Sequence, residues 1–222
     1  MDSAVIQLLV LAGIAVFLIL KLRNVLGTRD GYERPPEVAP GPGAPAARAR
    51  RGFEVIEGGE DHDITDHVPA GSEAAEAFAA MKRVEPAFSL GEFLGGARGA
   101  YEMILMGFER GALDDLVPLL SRDVFESFDE VVQRREREGL KVEANFVGLR
   151  EIGVQSASFD PQSRVAEVTV RFVGEITSVV RDRDGKVVEG DPNQIKQERD
   201  SWTFARTMGS NNPNWRLVAT GD

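Results

Sequence analysis

The stretch SRDVFESFDEVVQRREREGLKVEANF, residues 121–146, decides the fold, because the spacing of its apolar residues changes within it. Up to Gly139, apolar side chains recur at intervals of three and four residues, as on one face of a helix that begins after Ser121. From Leu140 to Phe146 they alternate with polar residues, which is typical of a strand with one buried face. The sequence therefore predicts helices followed by a sheet.

A long helix is predicted upstream of this stretch. Ser89 and Glu92 have the spacing of a capping box, in which a Ser and a Glu satisfy free N–H groups where a helix starts. Apolar residues then recur at helical intervals as far as Phe108, and a shorter helix follows. Glycine is about 1 kcal/mol less favourable than Ala in a helix, so we expect close packing against another backbone to compensate for four glycines. These are Gly91, Gly95, Gly96 and Gly99.

Alternating segments separated by turns fill the rest of the chain. Asp-Pro at 160–161 and Asp-Gly at 184–185 are turn signals. The alternation slips around Val147-Gly148, which indicates a β-bulge. Four antiparallel strands after several helices predict an α+β domain, residues 72–222, with the helices on one face of a curved sheet.

Composition excludes several classes of chemistry. The 222 residues contain no cysteine, so disulfides, thiolate metal sites and a cysteine nucleophile are excluded. Residues 72–222 carry 19 Lys or Arg against 26 Asp or Glu. Nucleic-acid affinity depends on clustered basic residues, so we expect no direct DNA binding.

The N-terminus carries an apolar run. Ala4 to Leu20 is 17 residues long with Gln7 as its one strongly polar residue, and a helix of that length reaches roughly 26 Å. No basic segment precedes the run and no small-residue cleavage site follows it, so residues 1–23 are predicted to be a retained transmembrane anchor rather than an export signal. Basic residues after the run predict an N-terminus outside and a C-terminus inside. They are Lys21, Arg23, Arg29 and Arg34.

Residues 24–71 are predicted to be a disordered linker, rich first in Pro and Ala and then in acidic residues. Its two histidines, His62 and His67, lie among aspartates, which raises the question of a metal site. Without a scaffold to fix the ligands, we interpret this part as a solvated acidic linker and expect no metal.

The segment SEAAEAFAAMKRVEPAF, residues 72–88, has two interpretations. Phe78, Met81 and Val84 could pack on the domain or lie on the membrane. The apolar stripe is narrow and half of it is alanine, so we expect packing on the domain.

Seven large residues are predicted to face inward. They could form the core, or they could line a pocket for an apolar segment or acyl chain. The domain has no histidine after residue 71, and we expect no carboxylate on the apolar strand faces. Glu102, Glu167 and Glu175 fall on polar faces, so no catalytic residue and no cofactor are predicted. The seven residues are Tyr101, Phe108, Phe128, Val170, Phe172, Trp202 and Phe204.

Three parts of the sequence together resemble the Tim-forty-four-like domain family and its bacterial TimA members. They are FLILKLRNVLGTRDGYERPP (17–36), FLGGARGAYEMILMGFERGALDDLVPLL (93–120), and RDSWTFAR (199–206) with NPNWRLVATGD (212–222). The resemblance implies a nuclear-transport-factor-two-like cone, a bent sheet wrapping helices around an apolar cavity. The mitochondrial member is an inner-membrane adaptor that tethers the import motor chaperone. Its chaperone-binding N-terminal region has no counterpart here.

The resemblance and the apolar run together predict a single-span adaptor of the bacterial inner (plasma) membrane, with a periplasmic N-terminus and a cytoplasmic protein-binding domain. It would act in protein translocation or membrane protein biogenesis, with translocon, chaperone or ribosome components as partners. The alternative is a membrane-tethered carrier of a lipid or another apolar ligand. Cone folds also host isomerases and dehydratases, so the fold alone does not decide the function.

Overall fold

The structure, a computed structural model, describes residues 61–221. The predicted anchor, the linker up to residue 60 and the four topology-setting residues Lys21, Arg23, Arg29 and Arg34 lie outside this range. Within residues 61–221, no helix combines the length and apolarity that a membrane span needs.

The helices come first in the chain, as predicted. They are α1 (His62–Thr65), α2 (Glu73–Val84), α3 (Leu90–Arg110), a single 3₁₀ turn (Asp114–Leu116) and α4 (Arg122–Glu138). Ser72, Ser89 and Ser121 cap the N-termini of α2, α3 and α4. The hydroxyl of each accepts a hydrogen bond from the backbone N–H three residues later, which confirms the predicted cap at Ser89. Gly111 ends α3 and Gly139 ends α4, both in the left-handed conformation, where a side chain would be strained.

The four strands form one antiparallel sheet in the order β1-β2-β3-β4. The sheet register shifts between Phe146 and Gly148, which confirms the predicted bulge. The α+β class is confirmed, and the arrangement is consistent with the cone that the resemblance implies. The strands are β1 (Lys141–Phe159), β2 (Val165–Arg181), β3 (Val187–Thr207) and β4 (Arg216–Gly221).

The main core lies between the helices and one face of this sheet. Val168, Val170 and Phe172 alternate along β2 and are fully buried in it. Phe78 and Met81 of α2 are also fully buried, whereas Val84 is partly exposed. The expectation that residues 72–88 pack on the domain is confirmed.

The folded part begins earlier than predicted. Residues 62–65 form α1, and Ile64 and Val68 are buried in the core. Asp63 accepts hydrogen bonds from the N–H groups of Leu90 (2.7 Å) and Gly91 (3.0 Å) at the start of α3. A helix N-terminus favours a carboxylate because its first N–H groups are free. The prediction of a linker extending to Gly71 is therefore wrong at its C-terminal end.

The Asp63 carboxylate has two further partners. Its oxygens lie 2.8 Å from the Ser89 hydroxyl and 2.7 Å from Lys82 Nζ. Burial raises the pKa of Asp63, but the hydrogen bonds from Lys82, Gly91, Leu90 and Ser89 outweigh it and bring the pKa well below its ordinary value. The aspartates around His62 are thus partly structural, and within residues 61–221 no three His, Cys, Asp or Glu side chains are arranged to hold a metal ion.

Three of the four α3 glycines do not pack against another backbone, contrary to expectation. Gly95, Gly96 and Gly99 are exposed, and a Cβ atom added to any of them would meet no atom within 4 Å. The predicted close packing against another backbone is wrong for these three within the described part of the chain. A close approach occurs instead at Gly174 of β2, where an added Cβ would lie 2.7 Å from the Tyr101 hydroxyl.

Candidate functional site

Five of the seven predicted inward-facing residues meet at the centre of the core. The Tyr101 ring centroid lies 4.4 Å from that of Phe172 and 4.7 Å from that of Trp202. Val170 and Phe204 are buried in the same cluster. These five side chains therefore contribute directly to the stability of the fold.

The other two pack together at a less buried position. The rings of Phe108 and Phe128 are 4.5 Å apart, and the Arg135 guanidinium lies 4.7 Å above Phe108. Beside them Glu109 lies 3.9 Å from Arg135, and burial raises its pKa although the charge of Arg135 opposes the shift. Arg135 Nη1 is buried and has no hydrogen-bond acceptor among the described residues.

A carboxylate does lie on an apolar strand face, contrary to expectation. Asp200 shares the inner face of β3 with Trp202 and Phe204, and it accepts a 2.6 Å hydrogen bond from the Tyr101 hydroxyl. Burial, and then Asp200, raise the pKa of Tyr101, so the phenol stays protonated and acts as a donor. The alternation at 200, 202 and 204 was the sequence signal for this inward carboxylate.

An apolar groove of about 390 Å³ opens on another side of this core. It is formed by the loop between α2 and α3, the first turns of α3, the end of β3 and the loop before β4. Among the seven predicted residues, Phe204 is the one that lines it. Phe93 and Trp215 form its aromatic wall, with ring centroids 4.6 Å apart. The groove's other apolar residues include Phe88, Ala97, Ala100 and Leu119.

One ion pair is set into this apolar wall. Arg206 is 8% exposed at its side chain, and its Nη2 lies 2.6 Å from Glu85 Oε1. Glu85 also accepts the Gly209 N–H at 2.9 Å. Burial raises the pKa of Glu85, but Arg206 and the Gly209 N–H outweigh it, so the pKa is below its ordinary value. The pair holds the α2–α3 loop against the end of β3.

Arg206 still has hydrogen-bonding capacity. Its Nη1 donates to the Pro213 carbonyl at 3.2 Å and its guanidinium lies 5.4 Å from the Trp215 ring centroid. Its Nε–H is buried and has no acceptor in residues 61–221. A buried N–H without an acceptor is costly, and this one has almost no surface that a groove ligand could reach. What the groove offers at its surface is mainly apolar.

Sequence reasoning missed the groove. Arg206 continues the inward alternation of Trp202 and Phe204, so the alternation could have placed the Arg206 side chain on the inner face of β3. Phe88 and Trp215 come from loops, for which periodicity gives no orientation.

The chain folds as a small α+β domain with an apolar groove on its surface. The chain belongs to the Tim44-like domain family, whose model matches residues 74–222. It is 25% identical over 150 residues to the human mitochondrial import inner membrane translocase subunit TIM44, and 23% identical to the mouse protein. These matches cover 66% of this chain and 33% of each relative, so the chain spans about a third of the relatives' length.

One match among solved structures is the intermembrane space region of the chloroplast protein ARC6. The match has a TM-score of 0.37 and 12% identity, and it covers 65% of this chain and 94% of that one.

Proposed function

We propose that this protein is a membrane-anchored adaptor in protein translocation or membrane protein biogenesis, and that its folded domain binds protein partners. Family membership supports the adaptor role, because the human and mouse relatives are subunits of a mitochondrial inner-membrane import translocase. The apolar groove with its aromatic wall of Phe93 and Trp215 carries the proposal. An extended or helical segment of a partner would bury an apolar side chain there.

The proposal includes the parts of the chain outside the described residues. Residues 1–23 would anchor the protein in a bacterial inner membrane with the N-terminus in the periplasm, and the following linker would carry the domain in the cytoplasm. The basic residues Lys21, Arg23, Arg29 and Arg34 support this orientation. Translocon, chaperone or ribosome components are the proposed partners.

Site-specific photocrosslinking in the full-length, membrane-anchored protein tests this role. Ala87 is exposed and lines the groove, so a photoreactive residue there should capture translocon, chaperone or ribosome components. Val147 is a matched control because it is 50% exposed on β1 and does not line the groove. Identical products from both positions, or the absence of such components from position 87, would contradict the adaptor role.

A second candidate is a carrier of an apolar ligand. The apolar wall of the groove, formed by Phe93 and Trp215, also suits the acyl chain of a lipid. Native mass spectrometry of the purified protein should then show a bound lipid, while an unliganded spectrum would argue against the carrier. We propose no catalytic activity, since the Tyr101 side chain that donates to Asp200 is fully buried.

A further inference from the structure

A stretch rich in proline and arginine precedes the folded domain and lies outside the described residues. Residues 38–51, VAPGPGAPAARARR, contain three prolines, three arginines and no acidic residue. Pro42, Pro45, Arg48 and Arg51 follow one another at intervals of three. A polyproline II helix has three residues per turn. In that conformation these four side chains share one face, on which the prolines precede the arginines.

The groove offers a surface that suits such a face. Grooves lined by aromatic side chains bind proline-rich segments in the polyproline II conformation, and Phe93 and Trp215 form an aromatic wall here. An indole N–H usually has an acceptor. The Trp215 indole N–H donates to none within residues 61–221, and unlike the Arg206 Nε–H it is not fully buried. A backbone carbonyl of a bound segment can therefore accept a hydrogen bond from Trp215.

The charge at the surface of the groove is complementary to the arginines. Arg206 is 8% exposed and is paired with Glu85, so it contributes little positive charge at the surface. Glu92 lines the groove, is exposed, and forms no salt bridge among the described residues. The unpaired charge among the described residues that line the groove is thus a carboxylate, which favours a cationic segment over an acidic one.

The chain enters the domain at the rim of this groove. The Asp63 carboxylate lies 2.8 Å from the Ser89 hydroxyl, and Ser89 lines the groove. Arg51 precedes Asp61 by ten residues, and a flexible chain of that length has an r.m.s. span of about 17 Å. The arginine end of residues 38–51 is therefore held within reach of Glu92, which is three residues after Ser89.

We propose that residues 38–51 bind in the groove of their own chain, with the prolines against the aromatic wall and the arginines directed toward Glu92. A short tether gives the segment an effective concentration in the millimolar range, so even a weak intrinsic affinity keeps the groove occupied. The same segment of a second copy, at micromolar protein concentration, is disfavoured about a thousandfold. The segment of the same chain is thus the occupant.

This inference adds regulation to the proposed adaptor role, and it rests on that role for the identity of the competing partner. A partner that uses the groove must first displace residues 38–51. The two proposals can fail separately, since docking of the segment is read from a link within one chain and the adaptor role from links to other proteins.

Disulfide trapping in the full-length protein tests the docking. The chain has no cysteine, so an introduced pair reports on one contact. Ala87 is exposed and lines the groove, whereas Arg98 is exposed on α3 and does not line it. Ala46→Cys/Ala87→Cys should form an internal disulfide at least about tenfold faster than Ala46→Cys/Arg98→Cys. Equal rates, or a disulfide-linked dimer in place of the internal link, would overturn the proposal.

Charge reversal tests the contact with Glu92. Glu92→Arg should slow this disulfide by about threefold to tenfold, because an attraction becomes a repulsion. Glu102→Arg is the matched control, since Glu102 is exposed on α3 and does not line the groove, and it should leave the rate unchanged. Adding Arg48→Glu and Arg51→Glu to Glu92→Arg should restore the rate. Equal effects at positions 92 and 102, or no recovery in the combined variant, would contradict the charge contact.

Removal of the arginines tests the competition with partners. In Arg48→Gln/Arg51→Gln, photocrosslinking from position 87 should capture partner proteins about twofold to fivefold more often than in the natural sequence, because the tethered competitor is weakened. Equal capture would overturn the competition. If position 87 captures no partner in either protein, the adaptor role fails, and the disulfide rates still decide whether the segment is bound.

Discussion

Replacement of Asp63 by Asn should destabilise the domain by about 1–3 kcal/mol. The carboxylate accepts from two N–H groups of α3 and from Ser89, and it pairs with Lys82 at 2.7 Å. Hydrogen bonds to a charged group contribute about 1.5–3 kcal/mol each in favourable cases. The amide keeps one acceptor oxygen, and the side chain is 26% exposed, so water compensates for part of the loss.

The pH dependence follows from the direction of the Asp63 pKa shift. The folded-state pKa lies below the ordinary value of 3.8, so the ionised form stabilises the fold above that pH, and the contribution is lost as pH falls below about 4. The difference in free energy of unfolding between the natural protein and Asp63→Asn should therefore be constant from pH 5 to pH 7, on the order of 1–3 kcal/mol, and should shrink below about pH 4.

Urea denaturation of residues 58–222, followed by circular dichroism at several pH values, measures this difference. Asp66→Asn is the matched control, because Asp66 is exposed, lies three residues away and forms no salt bridge among the described residues. The reasoning is refuted if the two variants are equally stable at pH 7, or if the Asp63→Asn difference persists unchanged at pH 3.

Three further predictions concern the core, the groove and α3. Gly174→Ala should cost about 1–3 kcal/mol, because the new Cβ would lie 2.7 Å from the Tyr101 hydroxyl; combined with Tyr101→Phe it should cost less than the sum of the two single changes, and additive urea midpoints would argue against the clash. Arg206→Ala should lower stability by about 2–4 kcal/mol and more than Glu85→Gln does, because it leaves the part-buried Glu85 carboxylate without its cation; thermal melts showing the reverse order would contradict this. Gly95→Ala should raise the free energy of unfolding by about 0.5–1 kcal/mol, because the added methyl group meets no atom; a loss of stability would show that the position is not open.

Periodicity was sufficient for the class of the fold. The cap at Ser89, the end of α4 at Gly139 and the bulge after Phe146 all depend on neighbours in sequence, and local patterns report such features well. The contacts of Asp63 are different, because its partners Leu90 and Gly91 lie 27 and 28 residues away. The composition of this acidic segment is that of a linker, and its partners cannot be seen in the neighbouring sequence. The predicted start of the domain, residue 72, was therefore too late.

The candidate site was predictable only in part. The burial of Tyr101, Phe172 and Trp202 followed from alternation and helical spacing. No carboxylate was expected on an apolar strand face, although the position of Asp200 in the alternation is inward. The groove depends on where two loops meet the ends of α3 and β3. Local periodicity contains no information on that meeting point.

The Asp63 contacts also have a mechanical consequence. Any tension that reaches the domain along the preceding chain arrives at residue 61. It meets first the Asp61 and Asp63 carboxylates, each 2.7 Å from Lys82 Nζ, and the bonds of Asp63 to the start of α3. Ser89 belongs to this attachment and also lines the groove. A pull on the N-terminal side of the domain is therefore delivered to the rim of the groove, so load and occupancy of the groove would act on the same few atoms.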